Sequence, residues 1–176
     1  MQHDFGLSPA RSLRKLWFMS THIRHIFISP GHNYIGRHGE DAGDHPLVEV
    51  AEARCVAGRG IEGDRFFDFK PDYKGQITFF EWETYERLRA QFGVEGKGPG
   101  AFRRNVVVEG LSLAALIGCE FELQGVRFFG TQEAAPCEWM DQAFCPGAHD
   151  ALKGVGGLRA RILSDGVLRS GAVGSS

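Results

Sequence analysis

The chain has 176 residues, of which 24 are glycine, and its formal net charge is −2 at pH 7. Hydrophobic residues make up 43% and charged residues 24%, which is ordinary globular composition and excludes an intrinsically disordered chain. Because the net charge is not positive, nucleic acid is not an expected partner, and the apolar runs are too short to cross a membrane.

The first strand pattern begins only after about residue 21. Residues 1–18 lack an apolar stretch of signal-peptide length, so we expect a disordered N-terminal extension outside the fold and a cytoplasmic protein. Residues 174–176 are expected to be frayed. One domain over residues 22–173 is long enough to bury a substantial core.

Apolar alternation predicts strands in the first half of the domain, over residues 22–29, 47–57, 76–80 and 104–109. Trp82, Tyr85, Leu88 and Phe92 recur at three- to four-residue spacing, which predicts a helix that ends at Gly93. After the fourth strand, Ser112 is expected to cap a short helical turn over residues 113–117.

The second half of the domain begins with a predicted hairpin, in which residues 119–123 and 126–130 flank the turn Gln124-Gly125. Pro136 is expected to open a short helix that carries Cys137 in its first turn. Residues 158–162 alternate apolar side chains with arginine and predict a strand, and Asp165-Gly166 then turns the chain into a last strand.

This pattern gives many short strands and only two or three short helices. No strand–helix–strand repetition is visible, so a doubly wound parallel sheet is not expected. The fold class that we predict is mainly β with α, a small barrel of mostly antiparallel or mixed strands.

The four cysteines show neither a two-residue spacing nor a Cys/His quartet, so a structural zinc site is not expected. Cys55 and Cys119 lie on predicted strands and are expected in the core. Cys137 would face free backbone N–H groups in a first helical turn, which favours a thiolate. It could then serve as a nucleophile, a persulfide carrier or a soft metal ligand; the alternative is a buried small hydrophobe.

Arginine outnumbers lysine by 15 to 5, and several arginines stand where strands begin or alternate. The segment 102–105 places Arg103 beside Asn105, which suits an anionic ligand that also accepts hydrogen bonds; a solvated strand entrance is the alternative. Arg159 and Arg161 share one side of their strand. They could bind an anion or merely coat a solvent-exposed face.

Two glycines precede an acidic and a basic residue in the segment Gly60-Ile-Glu-Gly63-Asp64-Arg65. The segment lacks the Gly-Lys-Ser/Thr ending of a P-loop. A tight turn closed by a local ion pair between Asp64 and Arg65 is the simpler interpretation.

The order of these motifs is more specific than any one of them. Residues 60–65, Gln76-Ile-Thr-Phe, residues 102–111, Ile117-Gly118, Pro136-Cys137 and residues 156–161 together resemble a MOSC domain, the C-terminal domain of molybdenum-cofactor sulfurases. The resemblance covers about residues 22–173. One departure is Phe66, where many relatives have histidine.

The resemblance implies a β-barrel of the pyruvate-kinase-barrel type. It also implies that Cys137 ligates molybdenum of a molybdopterin cofactor, that Arg103, Asn105 and Arg159 hold the cofactor, and that Gly63, Asp64 and Arg65 shape the neighbouring loop. Pyridoxal phosphate belongs to the desulfurase domain of the sulfurases and is not expected in this chain.

The function predicted from the resemblance is reduction of an N-hydroxylated small molecule, with electrons from a separate reductase. The first alternative is a persulfide carrier in which Cys137 accepts sulfur from a cysteine desulfurase for delivery to metal–sulfur centres. The second alternative is a barrel that binds a ligand without catalysis.

Overall fold

The computed structural model describes residues 21–34 and 40–172. These ranges contain the strands β1 His22–Ile28, β2 Val48–Glu49, β3 Glu52–Val56, β4 Gly60–Ile61, β5 Ile77–Glu81, β6 Val106–Glu109, β7 Glu120–Leu123, β8 Val126–Glu133, β9 Leu158–Ile162, β10 Gly166–Arg169 and β11 Gly171–Ala172. The helices are α1 Trp82–Phe92, α2 Trp139–Ala143 and α3 Ala148–Ala151, with 3-10 helices at Pro99–Phe102 and Ala114–Leu116. The prediction of a mainly β protein with a few helices is confirmed.

The described residues form two sheets. The larger runs in the order β11-β1-β6-β5-β9-β8-β7, with β2 added to β1, and the smaller runs β10-β3-β4. Among the described pairings only β5 and β6 are parallel, which agrees with a mostly antiparallel or mixed arrangement. These pairings leave β11 and β7 at the ends of the larger sheet, and they do not form a closed barrel.

The main core lies between the two sheets, because buried side chains from both contribute to one apolar cluster. Cys55 and Leu168 come from the smaller sheet, and Ile26, Phe79 and Phe128 from the larger. A second cluster packs α1 against the segment that contains α2 and α3, through Leu88, Phe102 and Phe144 among others. This second cluster fixes the position of the chain that follows Cys137.

Helix α1 forms as its apolar spacing predicts and ends at Gly93, whose φ of 62° lies in the left-handed region. The hairpin of β7 and β8 also forms as predicted. Both of its turn residues have positive φ, 51° at Gln124 and 78° at Gly125, as a type I′ turn requires.

Local details differ from the sequence prediction in three places. The strand predicted over residues 47–57 is broken into β2 and β3. Ser112 does not cap the next helical turn: Leu113 is the N-cap residue, and its N–H donates to Glu81 Oε1 at 2.7 Å. A carboxylate distant in sequence therefore satisfies a backbone N–H at the start of this helical turn.

The third difference concerns Cys137. Helix α2 begins at Trp139 with Glu138 as its N-cap residue, so Cys137 precedes the helix instead of lying in its first turn. The backbone carbonyl of Cys137 accepts a hydrogen bond from the N–H of Met140 at 2.9 Å, which anchors the cysteine to the helix start. The dipole of this five-residue helix is therefore not the source of any special property of the thiol.

The expectations for residues 1–18 and 174–176 lie outside the described residues. Within the described ranges, no helix is both long enough and apolar enough to span a bilayer.

Candidate functional site

The candidate site lies on the face of the larger sheet that points away from the main core. On β9, Leu158, Ala160 and Ile162 are buried in the core, while Arg159 and Arg161 project to the opposite side. Arg159 is paired across the sheet with Thr78 of β5. Two arginines and a hydroxyl are thus assembled on one surface by strand alternation alone.

Asn105 joins this surface to the loops above it through a complete set of hydrogen bonds. Its Oδ1 accepts from the N–H of Thr78 at 3.0 Å and from the Thr78 hydroxyl at 2.9 Å. Its Nδ2 donates to the carbonyl of Phe27 and to Asp64 Oδ2, both at 3.2 Å. Because an amide side chain has two donor hydrogens and two acceptor lone pairs, no capacity remains for a ligand.

Asp64 is nearly fully buried and closes the loop between β4 and β5. Its carboxylate accepts from the N–H groups of Ser29 and Phe66, both at 3.1 Å, and lies 3.5 Å from Arg65 Nη1. The local ion pair expected from the sequence is present. Gly63 has a φ of 82°, a conformation that favours glycine, and it supplies the turn that delivers Asp64.

Asp64, Asn105 and Gly63 are therefore framework residues. They position the arginines and the loop, and in this conformation their polar groups are directed to other parts of the protein. Their assignment to a cofactor site, made from the sequence, stays a prediction.

The arginines of the site carry donors that have no acceptor in the described part of the protein. Among the described residues no hydrogen-bond partner is found for the buried Nε of Arg65, Arg103, Arg159 and Arg161, or for Nη2 of Arg103. A buried donor without an acceptor costs about 1–3 kcal/mol, and more when it is charged. Four of these atoms belong to Arg65, Arg103 and Arg159 and indicate a site for a ligand rich in acceptor oxygens, whereas Arg161 also lies 4.0 Å from Asp72.

Electrostatics show that these charges lie close together. Burial, and to a smaller extent the neighbouring charge of Arg65, lower the pKa of Arg103 to about 10, although Tyr34 and the Cys137 sulfur oppose this shift. Burial also lowers the pKa of Arg65. The site concentrates positive charge without a matching number of carboxylates, which favours an anion.

Cys137 is exposed beside this positive charge. Among the other thiols, burial raises the pKa of Cys55 to about 12, and burial also raises the pKa of Cys145. Cys119 is exposed, so its predicted place in the core is wrong: it lies just before β7, outside the alternation of that strand. Cys137 is the cysteine that adjoins the arginines.

Aromatic side chains flank the arginines, and the sequence analysis did not assign them to the site. The Arg103 guanidinium carbon lies 4.4 Å from the centroid of the Tyr34 ring, and that ring packs against Trp139 with centroids 4.4 Å apart. The buried Trp139 Nε1 also has no partner in the described chain. On the other side, Arg65 stacks over Phe66 at 4.8 Å.

A signal for Trp139 was present in the sequence, since it is two residues from Cys137. Tyr34 lies about a hundred residues before Cys137 in the sequence. Only folding brings its ring next to Arg103. In the described ranges no group of three His, Cys, Asp or Glu side chains could hold a metal ion together.

Fold and site together define a class: a mainly β protein with an exposed cysteine beside a cluster of partly unpaired arginines. The MOSC domain profile matches residues 38–173, which is most of the chain. The chain belongs to the MOSC domain family.

Solved structures share this fold at low sequence identity. YuaD from Bacillus subtilis is 16% identical with a TM-score of 0.64, and the alignment covers 88% of this chain and 93% of YuaD. YiiM from Geobacillus stearothermophilus is 20% identical with a TM-score of 0.61, covering 86% and 72%. YiiM from Escherichia coli is 16% identical with a TM-score of 0.54, covering 86% and 70%. No curated protein matches the chain significantly.

Proposed function

We propose that this protein binds a molybdenum–pterin cofactor through Cys137 and its neighbouring arginines, and reduces N-hydroxylated small molecules. The observation that carries the proposal is the set of buried guanidinium donors without acceptors beside an exposed thiol. Membership of the MOSC domain family supports the choice of a molybdenum–pterin cofactor.

The residues present fit this cofactor chemically. A pterin cofactor carries a phosphate, and arginine binds phosphate through two parallel hydrogen bonds. Arg103 and Arg159 have unpaired donors for such a group. A thiolate is a soft ligand of the type that suits a sulfur-coordinated metal, and Cys137 is exposed and free to act as one.

Each part of the site would then have a separate task. Arg65, Arg103 and Arg159 would bind the anionic part of the cofactor, and Cys137 would ligate the metal. Asp64 and Asn105 would hold the surrounding loops in place through their internal hydrogen bonds. When bound, the cofactor supplies exchange of two electrons at the metal.

The net reaction breaks the N–O bond of the substrate. It consumes two electrons and two protons, leaves the nitrogen reduced, and releases the oxygen as water. The electrons would come from a separate reductase, and the substrate would enter past the aromatic side chains Tyr34 and Phe66 that flank the arginines.

The barrel implied by the family resemblance belongs to the same proposal. It is supported by the common core that both sheets enclose, and by likeness to solved structures over most of the chain.

The test is to purify the full chain from a molybdenum-competent host and to measure molybdenum and pterin per protein. We expect near-stoichiometric amounts, together with reduction of an amidoxime by a chemically reduced viologen dye. Cys137→Ser should lose most of the metal and the activity, whereas the matched variant Cys119→Ser should keep both. The proposal fails if the wild-type chain carries neither metal nor pterin and does not take up added cofactor.

The persulfide carrier remains the alternative, favoured by the exposure of Cys137. In that reaction the Cys137 thiolate attacks the outer sulfur of a desulfurase persulfide, and the desulfurase thiol leaves. Mass spectrometry after incubation with the desulfurase and its substrate would then show a gain of about 32 Da at Cys137, one added sulfur. This result together with absence of cofactor would favour the carrier.

A further inference from the structure

Trp139 is a buried residue whose one polar side-chain atom has no partner in the described chain. The residue is only 7% exposed, yet no acceptor among the described residues receives its indole N–H. A buried tryptophan N–H usually finds a hydrogen-bond partner, because a buried donor without an acceptor loses its bonds to water and gains nothing in return. The indole N–H is therefore free to donate to a ligand.

Tyr34 links this indole to the first of the site arginines. The Tyr34 and Trp139 ring centroids are 4.4 Å apart, and the Arg103 guanidinium carbon lies 4.4 Å from the centroid of the same Tyr34 ring. Two buried donor atoms of Arg103, Nε and Nη2, are also unpaired within the described ranges. They occupy one edge of the guanidinium group, and such an edge binds two oxygens of one anionic group.

The arginines of β9 and of the loop after β4 are joined to this neighbourhood through Asn105, two residues further along the chain. Asn105 Nδ2 donates to Asp64 Oδ2 at 3.2 Å, and the same carboxylate oxygen lies 3.5 Å from Arg65 Nη1. Asn105 Oδ1 accepts from the Thr78 hydroxyl at 2.9 Å, and Thr78 is paired with Arg159 across the sheet. The unpaired donors therefore belong to one site.

A neighbouring arginine shows that the fold can supply acceptors to a buried guanidinium group. Arg104 Nε donates to the carbonyl of Gly156 at 2.9 Å. Its Nη2 donates to the carbonyls of Ala134 at 2.6 Å and Ala135 at 3.3 Å. The lack of acceptors is thus a property of the site donors and not of every arginine in this region.

The number of unpaired donors distinguishes between ligand groups. Arg65, Arg103 and Arg159 contribute four buried donor atoms, and Trp139 contributes a fifth. A carboxylate has two oxygens with about four acceptor positions, which the arginine donors alone can fill. A phosphate group has three free oxygens and can also accept from the indole.

We propose that Trp139 is a specificity-determining residue of this site: its indole N–H donates to a phosphate group that the arginines also bind, and this fifth donor favours phosphate over carboxylate. The inference rests on the arginine site of the proposed function, but it requires neither the metal nor the reaction. The phosphate belongs either to the cofactor or to a separate phosphorylated ligand, and the experiments below distinguish these sources.

The first experiment follows the indole N–H signals of the full chain without cofactor by NMR, during a titration with inorganic phosphate at constant ionic strength. The sequence has three tryptophans, and Trp139→Phe identifies the Trp139 signal by its loss. We expect this signal to move to saturation together with the backbone amides of the site arginines, while the signal of Trp82 on α1 stays in place. A Trp139 signal that does not move, or the absence of any phosphate response, overturns the proposal.

The affinities for phosphate and acetate test the specificity. Trp139→Phe keeps an aromatic ring against Tyr34 and removes the donor. It should weaken phosphate binding about fivefold, the effect of one neutral hydrogen bond, and leave acetate binding unchanged. The matched variant Trp82→Phe should leave both affinities unchanged. Unaltered phosphate affinity in Trp139→Phe contradicts the proposal, and so does an equal loss of affinity for the two anions.

If Trp139→Phe does not fold, the wild-type chain decides. Trp82→Phe and Trp17→Phe then assign the indole signals by elimination, and the phosphate titration is read from the remaining signal as above. Wild-type protein that binds acetate as tightly as phosphate would also overturn the proposal.

Protein that carries the molybdenum cofactor identifies the source of the phosphate. If the cofactor phosphate fills the site, the Trp139 signal already has its phosphate-bound position and does not respond to added phosphate. If the signal still responds, the site takes a separate phosphorylated ligand; both results support the role of Trp139. A signal that keeps its ligand-free position throughout overturns it. Absence of molybdenum from the purified protein would defeat the proposed function without affecting the phosphate titration.

Discussion

The two faces of the larger sheet are built from the same strands and meet opposite requirements. On the core face, Phe79 packs edge-on against Phe121 and Phe128 at centroid distances of 5.6 and 5.3 Å, and apolar contact is complete. On the site face, Arg159 and Arg161 keep buried donors without partners in the described chain. Folding alone satisfies the side chains of the core face, whereas a bound ligand would satisfy the arginine donors of the site face.

The comparison shows how to separate residues that stabilise this protein from residues that bind. Removal of a core side chain should reduce the free energy of unfolding. Removal of an unpaired arginine should reduce affinity for an anion and leave stability intact, because its donors contribute nothing to the unliganded fold. Asn105 and Asp64 lie at the site but should behave like the core.

The largest expected effect is that of Phe79→Ala on the core face. Loss of a fully buried aromatic side chain should lower the free energy of unfolding by about 3–5 kcal/mol. Urea denaturation followed by circular dichroism measures this change. A loss below about 1 kcal/mol would show that the core face is not closely packed.

Asn105→Ala should have the next largest effect, about 2–3 kcal/mol of unfolding free energy, because Thr78 and Asp64 lose their buried partners. The same urea titration applies, with Gln132→Ala on β8 as a control. Wild-type stability accompanied by weaker anion binding would instead make Asn105 a ligand-binding residue, as the sequence analysis first suggested.

Arg159→Met should weaken binding of inorganic phosphate about tenfold, which corresponds to about 1.4 kcal/mol. The free energy of unfolding should fall by no more than about 0.5 kcal/mol. Chemical shifts of the site amides during a phosphate titration give the affinity. Normal phosphate binding together with a lower free energy of unfolding would show that Arg159 stabilises the fold and does not bind the anion, which contradicts the proposed difference between the two faces.

The smallest expected effect concerns His32. Burial lowers the pKa of His32, and the charges of Arg65 and Arg103 lower it further. A bound anion offsets those charges, so saturating phosphate should raise the pKa of His32. Titration of the ring signals by NMR measures it; no change would place the anion away from these arginines.

The lowered pKa of His32 also determines the direction in which stability changes with pH. The folded pKa of His32 lies below its unfolded value near 6.5, so in the interval between them the unfolded chain binds more protons. Stability should therefore rise with pH through this interval, and His32 should contribute no pH dependence below or above it. Added phosphate should reduce this dependence.

Strand alternation and turn residues could be predicted from the sequence because they are local. The period of two placed Arg159 opposite the core, and Gln124-Gly125 required a tight turn. The beginning of α2 could not be predicted with the same accuracy, since Pro136 permits a helix without enforcing one. Cys137 consequently lies before the helix, where the position of Pro136 suggested its first turn.

The different roles of neighbouring site residues could not be predicted from the sequence, for a different reason. Arg103, Arg104 and Asn105 are adjacent in the chain, yet one has free donors, one clamps backbone carbonyls and one has a saturated amide. These differences depend on partners far away in sequence, Tyr34, Gly156 and Asp64. Adjacent residues of similar chemistry cannot be told apart until the chain is folded.

The alternation along β9 has a further consequence for how the chain folds. A slip of one residue against β5 or β8 would turn Arg159 and Arg161 into the apolar interior and expose Leu158, Ala160 and Ile162, an arrangement of prohibitive energy. The charged side chains of β9 thus also disfavour misaligned pairings of this strand.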